Sequence, residues 1–259
     1  MMNKSNRILL TTERAIDDPR RAVIALGLFD GVHIAHAELI RRAKAAADSR
    51  GGVLLIHTLN RHPMEIFSPE RAPLALMPLA AKVRRLFDLG ASVVLTRSFD
   101  PSFARIPPDE FIRSLAERYH PSDLFVGYNY SFGRDGSGTP DLLSKRSGEF
   151  GYSLHVLKAE KYEYAAVSST RVRQALSIGD LLMANRLLGR PYELYGRINE
   201  RRELILPGRF AVPHPGKYLV SMDGQHITAI VTPDRSIEIG SKDILPTSRL
   251  NRIQFISKL

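Results

Sequence analysis

From about residue 5 to 188 the chain alternates two textures: short runs that are apolar at nearly every position, and longer segments whose apolar residues recur every three or four places. The short runs lie at 22–28, 53–58, 92–96, 123–126 and 153–157. Their near-continuous Val, Ile and Leu content is the pattern of strands covered on both faces. The longer segments, at 37–47, 79–89, 109–119, 141–150, 169–176 and 181–188, carry the helical period. Ile178-Gly179-Asp180 separates the last two, with a glycine to stop one helix and an aspartate to cap the next. Strand followed by helix, repeated, predicts βαβ crossovers and a parallel sheet with helices on both faces.

After Gly189-Arg190-Pro191 the texture changes. Short β-like runs follow at 192–198, 202–206, 217–222, 226–232 and 237–239, with Asp223-Gly224 as a two-residue hairpin signal and Pro233-Asp234 as a further turn. The pattern predicts an α/β domain over 1–190 and a small antiparallel β domain, a shortened barrel, over 191–259.

Composition narrows the function classes. No run of eighteen apolar residues is present, so no membrane-spanning helix is expected. The first residues, MMNKSNRILLTTERA, do not have the shape of a secretory signal, and the chain has no cysteine for a disulfide, a thiolate metal site or a thiol nucleophile. A cytoplasmic location is the expectation. The net charge is +10, which attracts phosphates, but the basic residues are scattered as pairs such as Arg20-Arg21, Arg41-Arg42, Arg84-Arg85 and Arg201-Arg202. Without a longer basic block, nucleotide phosphate explains the charge more economically than nucleic acid.

Four clusters carry candidate chemistry. In the first, strand 22–28 runs into a turn with Gly27 and Gly31, and then a helix opening near Ala35 or His36. Backbone N–H groups at such a junction suit a phosphate chain. His33 and His36, three apart, can donate hydrogen bonds to a triphosphate and stabilise charge on departing pyrophosphate. A metal pair or two surface histidines are the plainer alternatives. The second cluster, Ser168-Ser169-Thr170-Arg171-Val172-Arg173, reads as a helix cap that also gathers hydroxyls and guanidinium groups suited to phosphate. The third, Asn60-Arg61-His62-Pro63, directly follows strand 53–58. The fourth, Gly127-Tyr128-Asn129-Tyr130-Ser131-Phe132-Gly133, offers aromatics for a flat ring and Asn129 for a phosphate or metal.

Taken together and in this order, these clusters resemble the adenylyltransferase half of the bacterial bifunctional riboflavin kinase/FAD synthetases. That family carries G-x-FDG-x-H-x-GH, then a phenylalanine-containing element ending in HP, then G-x-[ND]-F-x-FG, then SST-x-[IV]-R. Lys82, Leu86 and Gly90, the Phe99 to Phe103 stretch, and 108–111 between the clusters fit the family too. The resemblance covers about residues 20–198. It implies a Rossmann-like nucleotidyltransferase sheet, ATP and FMN as substrates, Mg²⁺, and FAD with pyrophosphate as products. It implies catalytic roles for His33, His36 and Arg173. Nucleotide binding would fall to Gly27, Phe29, Asp30, Gly31, Ser168, Ser169, Thr170 and Arg171. Flavin binding would fall to Asn60, His62, Pro63, Asn129 and Phe132, with Asn60 and Asn129 also near the metal.

Some positions depart from the family pattern. Ala35 stands for the third glycine of the histidine motif, the one in H-x-GH, Leu59 and Arg61 for a phenylalanine and a proline, and Tyr130 for a phenylalanine. After residue 195 the G-x-PTAN element of the kinase half is missing, and Pro246-Thr247-Ser248 comes too late and lacks its asparagine. The expectation is an FMN adenylyltransferase without riboflavin kinase activity. The alternatives are a nucleotidyltransferase for another acceptor, and a weakly catalytic regulator that binds flavin or nucleotide.

Overall fold

The computed structural model describes residues 7–11, 22–240 and 249–259. The Arg20-Arg21 pair and Pro246-Thr247-Ser248 lie outside them. The chain divides into two compact units, one of residues 1–73 with 79–160, the other of 74–78 with 161–259.

The first unit is built on a six-stranded parallel sheet. Its strands are β1 (Ile8–Leu10), β2 (Ala22–Leu26), β3 (Val53–Leu59), β4 (Val93–Arg97), β5 (Asp123–Gly127) and β6 (Ser153–Leu157), in the order β1-β4-β3-β2-β5-β6. Strands β2 and β3 are buried almost throughout, because helices cover both faces. Ile24, Leu26, Leu55, Leu95 and Leu124 face one layer with Phe111, Ile112 and Leu115 of α5 (Pro108–Tyr119) and Leu143 of α6 (Pro140–Phe150). Leu39, Ile40 and Ala43 of α1 (Ile34–Ser49) and Leu86 of α3 (Leu79–Asp88) are buried outside that cluster. Two four-residue helices, α2 (Met64–Phe67) and α4 (Pro101–Ala104), follow β3 and β4. The chain steps outward from β2 to β3 to β4 and then returns to place β5 on the other side of β2. That reversal opens a crevice beyond the carboxyl ends of β2 and β5, the usual ligand position in such sheets.

At the opposite, amino-terminal edge a polar cluster pins the sheet. Asp123, fully buried at the start of β5, accepts hydrogen bonds from Ser122 Oγ (2.7 Å) and Arg50 Nη2 (3.2 Å) and pairs with Arg50 Nε (2.8 Å) and His155 Nε2 (2.8 Å). Burial pushes the Asp123 carboxyl up, but His155, Ser122 and Arg50 together outweigh it, and the net direction is down.

The second unit opens with the hairpin β7 (Lys161–Tyr162) and β8 (Ala165–Ala166), then α7 (Ser169–Ile178) and α8 (Leu181–Leu188). The predicted break between these helices is present: Gly179 ends α7 at φ +83°, and the Asp180 carboxylate caps α8 by accepting from Met183 N at 2.9 Å. An antiparallel sheet follows, made of β9 (Tyr192–Ile198), β10 (Leu204–Ile205), β11 (Gly216–Met222), β12 (Gln225–Val231), β13 (Ile237–Ile239) and β14 (Asn251–Lys258), in the order β10-β9-β14-β11-β12-β13. A Glu203–Glu238 bridge joins its two ends into a nearly closed barrel. Asp223-Gly224 forms the hairpin between β11 and β12, with positive φ at both residues (+49° and +84°), as a primed turn requires. The domain boundary expected at 190 falls inside this unit. Helix α8 is tied into the sheet by Asn185, whose Nδ2 donates to Phe255 O (3.0 Å) and whose Oδ1 accepts from Tyr192 N (2.7 Å).

Candidate active site

The turn after β2 is the most unusual backbone in the first unit. Phe29, Gly31 and Val32 have φ of +52°, +75° and +40°. Left-handed backbone is strained for a β-branched residue, and Val32 is also buried. A Cβ on Gly27 would lie 2.9 Å from the Phe29 ring, so the ring seats directly on that glycine. The turn delivers the chain to α1, which starts at Ile34, one or two residues earlier than the periodicity predicts. The reason is an unusual cap: His33 Nδ1 accepts the His36 N–H at 3.3 Å. With Nδ1 an acceptor, neutral His33 carries its proton on Nε2.

The two imidazoles are stacked, with centroids 3.6 Å apart and planes 14° from parallel, and the Phe29 ring meets His36 edge-on at 5.2 Å. Burial, then His33, then the Lys82 ammonium drive the His36 pKa well below its ordinary value. His36 is therefore neutral at pH 7. Its Nδ1 is buried and takes no hydrogen bond within the protein. Ala35 occupies the second helical position, where an alanine backbone is unstrained.

The 60–63 element holds its own neighbourhood together. Asn60 Oδ1 accepts from Phe99 N (3.2 Å) and Asn60 Nδ2 reaches Ser98 Oγ (3.4 Å), so the amide ties the β3 loop to the β4 loop. His62 Nδ1 accepts from Met64 N (3.2 Å) and Pro63 precedes α2. In the 127–133 element, Tyr128 and Asn129 are exposed at the end of β5. Phe132 instead packs in the core, against Phe111 (5.2 Å) and Tyr130 (5.6 Å). Burial also pushes the Tyr130 phenol up. Phe99, Phe103 and Phe111 continue edge to face from Phe67, forming an aromatic row that joins α2, the segment after β4 and α5. Gly133, at φ +70°, lies against Pro108, whose backbone nitrogen would be 2.9 Å from an added Cβ. Gly133→Ala is therefore expected to destabilise the protein by at least about 2 kcal/mol in urea unfolding, through strain and backbone collision.

In the second unit Ser168 caps α7, its Oγ accepting from Arg171 N at 3.2 Å, and Ser169 and Thr170 form the first turn. The Arg171 guanidinium braces the preceding hairpin: Nη1 donates to Tyr162 O (2.8 Å) and Ala165 O (3.0 Å). Arg173 Nε donates to Leu74 O at 2.6 Å. The family resemblance implies a nucleotide-binding role for Arg171 and a catalytic one for Arg173; the backbone carbonyls that folding brings to both guanidinium groups leave no mark in the local sequence. Thus Gly27, Phe29, Asp30, Gly31, His33, His36, Asn60, His62, Pro63 and Asn129 follow or adjoin the carboxyl ends of one sheet. Ser168, Ser169, Thr170, Arg171 and Arg173 belong to the other unit.

Residues 15–171 match the FAD synthetase family model, more than half of the chain. The chain belongs to the FAD synthetase family. Curated relatives of this family member include the bifunctional riboflavin kinase/FMN adenylyltransferase of Bacillus subtilis (strain 168), 29% identical over 80% of this chain and 69% of that one. The protein of the same description from Escherichia coli (strain K12) is 32% identical over 70% of this chain and 58% of the relative. That of Pseudomonas fluorescens is 32% identical over 79% and 69%. The aligned region thus spans 58% to 69% of the length of these relatives. The crystal structure of a macrolide-efflux protein from Streptococcus pneumoniae shares the fold, with a TM-score of 0.83 and 24% identity over 98% of this chain and all of that one.

Proposed function

We propose that the chain is an FMN adenylyltransferase that moves AMP from ATP to FMN and releases pyrophosphate. The observation that carries this is the turn and helix start after β2, where stacked His33 and His36 sit at the switch point of a FAD synthetase family sheet. An FMN phosphate oxygen attacks the α-phosphorus, and the bond to the β-phosphate oxygen breaks. The acceptor is already ionised, so no protein base or nucleophile is required. His33, through Nε2–H, and neutral His36 donate to the phosphate oxygens on which charge accumulates. The remaining amides of the α1 start bind further phosphate oxygens. In the second unit Arg171 and Arg173 hold the α7 start in shape through their carbonyl partners.

Among the described residues no group of three or more His, Asp or Glu side chains is arranged to hold a metal. In this proposal Mg²⁺ would be supplied on the triphosphate, where it would neutralise phosphate charge. Asn129 is exposed and able to contact it, while the Asn60 amide already has two partners. Among the described residues no helix is long and apolar enough to cross a membrane.

Incubation with FMN, ATP and Mg²⁺ is expected to give FAD and pyrophosphate in equal amounts. Riboflavin and ATP are expected to give no FMN, because the region after residue 195 lacks the G-x-PTAN element. Absence of FAD at micromolar protein would sink the proposal. A second reading, transfer to another acceptor, rests on Leu59 and Arg61 at the edge of the β3 loop. Pyrophosphate release with some other phosphorylated acceptor but not with FMN would favour it.

A further inference from the structure

Among the described residues Lys82 is the only lysine or arginine that is buried. It projects from α3 beneath the phosphate-binding turn, and its three acceptors are neutral oxygens. Nζ donates to Leu59 O at 2.8 Å, to Leu28 O at 3.1 Å and to Thr58 Oγ1 at 3.4 Å. Thr58 Oγ1 in turn donates to Leu28 O at 2.9 Å. One ammonium thus joins the ends of β2 and β3 immediately before the residues with left-handed backbone, Phe29, Gly31 and Val32. Strain of that kind persists only where the surroundings over-determine it. The double grip on the Leu28 carbonyl is such a surrounding.

We propose that Lys82 is a positioning residue: it clamps the turn that presents His33 and His36, and it sets a buried positive charge behind the helix start that receives phosphate. This rests on the reading that ATP binds there. The titratable groups that face it are Asp30 on the turn, Glu65 on α2 and His36 on α1. Burial lowers the Lys82 pKa to about 8, with Asp30 and then Glu65 opposing the shift. The clamp is therefore charged at neutral pH and loses its charge as pH rises through about 8. Because the ammonium helps hold His36 neutral, the two residues are coupled.

The test uses the full chain and two readouts besides turnover: ATP affinity by calorimetry from pH 7 to 9, and the His36 titration by NMR. In wild type, ATP affinity is expected to weaken by roughly tenfold across that range. Lys82→Met is expected to bind ATP at least about tenfold more weakly at pH 7, to lose that pH dependence, and to titrate His36 at higher pH. Lys82→Arg, keeping the charge, is expected to recover part of the affinity. A purely structural lysine would not move the His36 titration. Unchanged His36 titration in a folded Lys82→Met protein, or ATP affinity within twofold of wild type, overturns the proposal. If Lys82→Met does not fold, wild-type ATP affinity that is flat from pH 7 to 9, or a Thr58→Val protein that binds ATP as wild type does, overturns it instead. ATP binding by the wild-type protein without FAD formation would refute the FMN reading, while the outcomes above would still decide this one. Normal FAD formation by Lys82→Met would do the reverse.

Discussion

His36→Ala is expected to lower the rate of FAD formation by about a hundred- to a thousandfold, the usual cost of removing a preorganised donor to developing negative charge. Its Nδ1 is buried without a partner, and its ring is held between His33 and the Phe29 edge, so no reorganisation is needed when charge builds on the leaving pyrophosphate. Truncation also opens a small space beside Phe29, so thermal unfolding and flavin binding measured on the same variant separate lost chemistry from lost shape. Flavin binding is expected to stay within a few-fold of wild type. The pH profile adds a sign. His36 titrates well below 6.5, so it is neutral throughout pH 7 to 8 and imposes no acidic limb there. A wild-type rate limited by deprotonation of this histidine near pH 7 would contradict the assignment.

Asp123→Ala is expected to cost about 2–4 kcal/mol of folding stability with little effect on the chemistry, because the cluster lies at the far end of the sheet from the candidate site. The carboxylate is the common acceptor that ties the end of α1, through Arg50, to β5 and β6, through His155. The Arg50 and His155 side chains are about half exposed, at 51% and 41%, and rehydrate when the carboxylate is gone. That keeps the cost below that of a fully buried pair. The sign of the pH dependence follows from the lowered Asp123 pKa. The contribution is complete above the unfolded aspartate value of about 3.9 and is lost as pH falls through the lower folded value. Urea unfolding between pH 3 and 7 should therefore show a steeper acid loss for wild type than for Asp123→Asn. Parallel curves would remove the cluster from the account.

Much of the local structure was legible because its causes are local. Continuous apolar runs marked β2, β3, β4 and β5; Gly179 and Asp180 marked the break between α7 and α8; Asp223-Gly224 marked a primed hairpin. Strand β14 was missed, although Ile253 and Phe255 alternate with Arg252 and Gln254. Its place between β9 and β11 depends on neighbours far away in sequence. The three-residue strand β1 was missed for the same reason, being held by β4.

For the site, the sequence alone determined which residue types follow each strand: glycines and histidines after β2, Asn60 to Pro63 after β3, and the glycine-bounded aromatic element after β5. Only the tertiary structure decided what each does. Strand order put β5 beside β2 and so made a crevice of two separate loops. Folding turned Phe132 into the core, directed Arg171 to hairpin carbonyls, engaged the Asn60 amide with Ser98 and Phe99, and brought Lys82 under the Gly27 turn. The physical reason is that a polar or aromatic side chain takes its role from whichever partners desolvate it. Those partners lie tens of residues away, where no local pattern records them.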